Sequence, residues 1–162
     1  MDNLAFKIHN RRYLGNKKKL LVNIEELIRK KIKKYDSFID IFSGTGVVAS
    51  RFNTKNIKII TNDILQSNYI INKTFLGIKK KPLDIEKKIE SLNQIKTLNS
   101  NYFSKNFGNK YFSLKIAKKI GAIRDEIEKI SDSEDEKNIL ITSLIFAFDK
   151  IANTVGHYDA YR

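Results

Sequence analysis

The chain has 162 residues, with 31 Lys or Arg against 18 Asp or Glu, a formal charge of +13. It has no cysteine, which excludes disulfides and thiolate metal sites. No apolar run approaches the roughly 18 residues of a membrane span, and the N-terminus lacks an apolar secretory core, so a single cytoplasmic domain over 1–162 with its own hydrophobic core is expected.

The charge is uneven. Residues 1–34 carry eleven Lys or Arg and three acids, which is +8 of the total. One reading is attraction to nucleic-acid phosphates near the N-terminus. The other is compositional, because Lys, Asn and Ile dominate the whole chain as they do in proteins from AT-rich genomes. Leu20, Leu21, Ile24, Leu27, Ile28 and Ile32 recur at helical spacing, which predicts an amphipathic helix over 18–34 with a lysine-rich outer face. Lys17, Lys18 and Lys19 would lie at its positive end, where the macrodipole disfavours cations. Lys18 and Lys19 can splay into water, whereas Lys17 closes a Tyr13-Leu14-Gly15-Asn16-Lys17 run.

Residues 38–42 and 57–61 are short apolar runs of buried-strand type, and a helix over about 45–53 joins them, which predicts a β-α-β unit with parallel strands. Between the first strand and its helix stands Asp40-Ile41-Phe42-Ser43-Gly44-Thr45-Gly46, and the second strand ends on Asn62-Asp63-Ile64. Glycines let a ligand approach the backbone, and the helix start offers N–H groups to it. A carboxylate at the tip of the next strand can accept from both hydroxyls of a ribose. The unit therefore points to a nucleoside-bearing cofactor.

Two cofactors compete. Gly44-Thr45-Gly46-Val47-Val48-Ala49 matches the G-x-G-x-x-A dinucleotide pattern, with Asp63 about 20 residues on. Asp40 argues the other way. A pyrophosphate resting on the turn disfavours a carboxylate in the strand just ahead of it, two residues before Phe42-Ser43, whereas a ligand carrying a sulfonium and an ammonium tolerates one. S-adenosylmethionine is thus preferred to NAD.

A helix over 66–75 follows, and then a break at Lys79-Lys80-Lys81-Pro82. Residues 83–98 read as a helix with Ile85, Ile89 and Leu92 on one face. Residues 99–113 show no period and read as an aromatic, asparagine-rich loop. Tyr102, Phe103, Tyr111 and Phe112 lie there with Lys105 and Lys110. Such residues either stack on nucleic acid or pin a loop onto the core. Helices are expected over 114–130 and 134–153, the second capped by Asp132 or Ser133, which explains the acidic run 131–136 without an interaction role. Asp149 and His157 form no metal or triad arrangement with other residues.

Taken together, Tyr13-Leu14-Gly15-Asn16-Lys17, Phe42-Ser43-Gly44-Thr45-Gly46 and Asn62-Asp63 resemble, in type and order, the N-terminal part of the D12-class, Dam-like adenine-specific DNA methyltransferases. Tyr111-Phe112-Ser113, 120–127 and Asn153-Thr154-Val155-Gly156-His157-Tyr158 are similar to later stretches of that family. The resemblance implies a Rossmann-like α/β methyltransferase fold, here a partial sheet with added C-terminal helices. It also implies S-adenosylmethionine as cofactor, DNA as partner, and a role in restriction–modification. It would place Tyr13, Gly15 and Lys17 at the border of the cofactor, with Asp40, Phe42, Ser43, Gly44, Thr45 and Gly46 beneath it. Asp63 and Ile64 would hold its ribose end.

The family's catalytic Asp-Pro-Pro-Tyr signature is missing. The chain has one proline, Pro82, and no Pro-Pro pair, so no catalytic residue can be assigned. The expectation is an N-terminal portion that ends before this motif, with a second chain as a possible source of the catalytic and target-recognition half. Two alternatives stay open: a non-catalytic nucleic-acid-binding or regulatory remnant of a methyltransferase, and a small NAD-binding protein.

Overall fold

The computed structural model describes residues 6, 8, 15, 17–96 and 99–154. The chain divides into two compact units, Met1–Lys80 and Lys81–Arg162.

In the first unit a 3-10 turn over Lys18–Leu20 leads into helix α1, Leu21–Lys31. The helix is shorter than its apolar spacing suggests. Ile32 is extended, and its N–H closes the last turn on the Ile28 carbonyl. Arg29, Lys30 and Lys31 occupy that last turn, where the negative helix end favours cations. Leu21, Ile24 and Ile28 are half-buried, but Leu20 and Leu27 are exposed. The stripe is therefore real in spacing and only partly covered.

Strand β1, Ser37–Asp40, helix α2, Val47–Phe52, and strand β2, Lys58–Thr61, form the expected β-α-β unit. The strands pair in parallel, with Phe38 opposite Ile59 and Asp40 opposite Thr61. Period-two alternation puts Phe38 on the α2 side, where its ring stacks on Phe52 at a centroid distance of 4.3 Å. The opposite face carries Ile39 and Ile60, both exposed. Among the described residues the sheet has two strands.

Helix α3, Gln66–Asn72, runs into a wide turn over Lys73–Gly77, in which the Ile78 N–H reaches back five residues to the Lys73 carbonyl. Such widened turns cluster near functional sites. Among the described residues of this unit, Ala49, Phe52, Ile71, Phe75 and Ile78 are the buried apolar ones.

The second unit is helical: α4, Ile85–Asn93, α5, Tyr102–Phe107, α6, Leu114–Ile130, and α7, Glu134–Ile151. Helix α5 lies inside the segment expected to be a loop. Asn101 caps it by accepting from the Ser104 N–H, and the Ser104 hydroxyl accepts from the Asn101 N–H in return. This is an Asn/Ser form of the capping box, which usually carries Glu or Gln at the second position. The Asn101 amide also donates to the Lys118 carbonyl at 2.7 Å. Gly121 makes room for it, since a Cβ there would lie 2.2 Å from Asn101 Oδ1. Phe103, Phe107, Phe112 and Phe148 pack around Ala117 and Ile120. Those aromatics thus pin the segment to the core, whereas Tyr102 is exposed.

Ser133 caps α7 by accepting from the Glu136 N–H at 3.2 Å. Lys88 of α4 donates to Asp132, to Glu136 and to the Ile130 carbonyl, so the acidic run is used within the fold. The two carboxylates, Asp132 first, hold the Lys88 ammonium above its ordinary range. Among the described residues no helix is long and apolar enough to cross a membrane.

Candidate functional site

The β1–β2 ladder continues past the strand ends. The Asn62 N–H donates to the Asp40 carbonyl at 2.9 Å, and the Ser43 N–H donates to the Asn62 carbonyl at 3.0 Å. The glycine turn and the acidic tip of β2 are therefore held side by side. Gly44 and Gly46 have φ of +50° and +72°, a left-handed backbone that disfavours residues with a Cβ. At Gly46 the space is filled as well, because a Cβ would lie 2.0 Å from Asn72 Oδ1.

Asp63 closes the arrangement. Its Oδ2 accepts from the Gly44 N–H at 2.8 Å, while Oδ1 accepts from the Leu65 N–H and the Asn68 amide, each at 3.0 Å. Burial alone would raise this carboxyl, but the donors Leu65, Asn68 and Gly44 outweigh it and hold the group below its usual range. Asp63 is thus an ionised carboxylate that braces the turn, with Oδ2 taking a single N–H.

Asp40 behaves oppositely. Burial pushes its carboxyl up, the N–H groups of Ala49 and Phe42 pull it down, and the charge on Asp63 adds to the rise. The structure places Asp40 beneath the turn, bonded to backbone on both sides of it. Ser43 and Thr45 are buried. The Ser43 hydroxyl donates to the Asn62 carbonyl at 3.0 Å and accepts from the Asn72 amide at 2.8 Å. By contrast Phe42 and Ile64, which follow the two strands, are 89% and 97% exposed. An exposed pair of large apolar side chains beside an ionised carboxylate suits a ligand that combines a flat apolar ring with hydroxyls or positive charge.

Of the upstream residues, Tyr13 lies outside the described residues. Gly15 has φ of +79°, and Lys17 Nζ donates to its carbonyl at 2.7 Å. This contact is local, and no hydrogen bond joins either residue to the glycine turn among the described residues. His157, with the rest of 155–162, lies outside them too.

The sequence reading missed Asn68 and Asn72. Both are buried on α3, and both grip the site: Asn68 bonds Asp63, and Asn72 bonds Ser43 and the Gly44 carbonyl. Their signal was present as two asparagines four residues apart, hence on one helix face, on either side of Tyr69-Ile70-Ile71.

A family model for the D12 class N6 adenine-specific DNA methyltransferases matches residues 13–162. Type II methyltransferase M.NlaIII of Neisseria lactamica is 31% identical over 133 residues, covering 76% of this chain and 40% of the relative. Modification methylase LlaI of Lactococcus lactis subsp. lactis is 29% identical over 167 residues, covering 93% and 27%. Type II methyltransferase M.CviAII of Paramecium bursaria Chlorella virus 1 is 30% identical over 160 residues, covering 92% and 48%. The chain spans less than half the length of each of these relatives. No solved structure matches it.

Proposed function

This chain belongs to the D12 class N6 adenine-specific DNA methyltransferases, and from that premise we propose that it is the S-adenosylmethionine-binding part of a site-specific DNA adenine-N6 methyltransferase of a restriction–modification system. The observation that carries the reading is the brace between Gly44 and Asp63, flanked by exposed Phe42 and Ile64. The parallel β-α-β unit supports a Rossmann-like methyltransferase fold in which both units belong to one domain.

When bound, S-adenosylmethionine supplies a methyl group activated by its sulfonium. The chain's own contribution is binding and positioning, the main source of rate in such a transfer. Asp63 would take the ribose hydroxyls on Oδ2. Phe42 and Ile64 would flank the adenine ring. The Gly44–Gly46 turn would admit the methionine end, with the Asp40 carboxylate suited to its positive charge. Ser43, Asn68 and Asn72 would keep the turn in shape around the buried Thr45, and Gly15 and Lys17, with Tyr13, would border the site.

The target amino group is a different matter. With no Pro-Pro pair in these 162 residues, the acceptors that would hold a flipped adenine belong to another segment or to a second polypeptide. The exposed outer face of the sheet, Ile39 and Ile60, is where helices of that half would pack. Calorimetric titration with S-adenosylmethionine, and with NAD in parallel, tests the cofactor reading. Saturable binding of S-adenosylmethionine alone is expected, and binding of NAD instead would overturn it.

A further inference from the structure

A second feature of the first unit lies at the other end of the strands. A cleft of about 790 Å³ opens beside the N-terminal ends of β1 and β2, lined by Arg29, Lys33, Lys34, Tyr35, Asp36 and Arg51 among others. The glycine turn and Asp63 follow the C-terminal ends, so this cleft is separate from the candidate cofactor site.

Its cations are partly prearranged. Arg29 of α1 and Arg51 of α2 converge on one carboxylate, Glu25, whose side chain is 14% exposed. Arg51 and then Arg29 hold Glu25 below its ordinary range, so it stays ionised. Arg51 meets Glu25 through Nε, and no bond from its two terminal nitrogens is seen among the described residues. Lys33 and Lys34 form no ion pair among the described residues. The acids nearby are Glu25 and Asp36, against four cations. A helix C-terminus accounts for Arg29, Lys30 and Lys31, whereas Lys33 and Lys34 lie past the C-cap Ile32, outside the last turn. Like charges gathered in this way repel, by about 0.5 kcal/mol per pair at ~8 Å in water, and an anion relieves that repulsion.

We propose that this cleft is a contact for the phosphate backbone of DNA, distinct from the cofactor site and on the opposite end of the strands. This rests on the DNA-directed reading above. A polyanion fits better than a small phosphate, because the cationic run continues beyond the cleft through the exposed Lys30 and Lys31. Contacts of this type carry no base information and act by charge. The cleft therefore adds affinity and grip on flanking DNA rather than sequence choice.

The test is fluorescence anisotropy of the full chain with a short labelled duplex of arbitrary sequence, across a salt series. Lys33→Gln/Lys34→Gln is compared with Lys79→Gln/Lys80→Gln, two exposed lysines whose replacement changes the charge equally outside the cleft and its cationic run. The cleft variant is expected to lose on the order of tenfold in affinity at low salt, with its salt slope reduced by about two units, near 0.9 per lost phosphate contact. The comparison variant should lose clearly less, and both should keep wild-type S-adenosylmethionine affinity. Equal losses, or none in the cleft variant, would overturn the cleft while leaving the methyltransferase reading intact. Absence of DNA binding by the wild-type chain would overturn the cleft, and retained S-adenosylmethionine binding would show that the cofactor reading survives it.

Discussion

The backbone N–H of Gly44 donates to Oδ2 of Asp63 at 2.8 Å across a sequence separation of 19 residues. One bond thus ties the glycine turn after β1 to the acidic tip of β2, the two features that a nucleoside site needs to hold in register. Leu65 and Asn68 saturate the other oxygen, so the orientation of the carboxylate is determined before any ligand arrives.

Asp63→Asn isolates this relationship. The asparagine retains one oxygen for Leu65 and Asn68 but presents an amide NH₂ to the Gly44 N–H, donor against donor. S-adenosylmethionine binding is expected to weaken by about 2–3 kcal/mol, and the fold to lose about 1–3 kcal/mol through the unsatisfied donor. Calorimetry and urea unfolding read the two effects separately. Unchanged affinity would mean that the ligand site lies elsewhere.

The two carboxylates give opposite pH signatures. Asp63 is depressed in the folded chain, so its stabilisation is present above the unfolded value, near 3.9, and is lost as pH falls through the lower folded value. Asp40 is raised, chiefly by burial, so it reduces stability once pH rises through its folded value and has no effect below its unfolded value. Asp40→Asn should therefore raise the unfolding midpoint at pH 7 and leave it nearly unchanged at pH 3. A loss at pH 7 would show that the bonds from Ala49 and Phe42 outweigh the burial cost.

Much of the first unit is readable from local pattern, because an apolar strand, a glycine turn and an acidic strand end are dictated within a few residues of one another. Neither strand is buried on both faces among the described residues, although its apolar run suggests it. Helices α6 and α7 were equally plain: the apolar period over 114–130 coincides with α6, and Ser133 is the observed cap. Helix α5 was hidden because it exists through partners distant in sequence, namely the Asn101 bond to Lys118 and the packing of Phe103 against Phe112 and Phe148. The same holds for Asn68 and Asn72, whose roles depend on what faces α3. Helix α1 shows the converse, since the spacing of Leu20 and Leu27 announces a covered face that the described residues leave exposed.

Gly46→Ala tests the packing beneath the turn. Its φ of +72° imposes roughly 1–2 kcal/mol on any residue with a Cβ, and the new methyl would overlap Asn72 Oδ1. The double variant Gly46→Ala/Asn72→Ala removes the overlap but not the backbone strain. Partial recovery relative to the sum of the single variants is expected, a coupling of about 0.5–3 kcal/mol in a double-mutant cycle. Strict additivity would mean that the two residues do not meet in solution.

The isolated chain should bind S-adenosylmethionine and still transfer no methyl group to DNA. Adenine N6 is a weak nucleophile because its lone pair is delocalised into the ring, and the base must be rotated out and its amino group held by acceptors. Neither carboxylate of the site is placed to do this. Asp63 is engaged by Gly44, Leu65 and Asn68, and Asp40 by the N–H groups of Ala49 and Phe42. Incubation with labelled S-adenosylmethionine and adenine-containing duplex should therefore give counts in DNA no higher than those of the Asp63→Asn variant. Sustained labelling by the wild-type chain alone would mean that another group in these 162 residues accepts the amino protons, and that the division between donor-binding and catalytic halves is wrong.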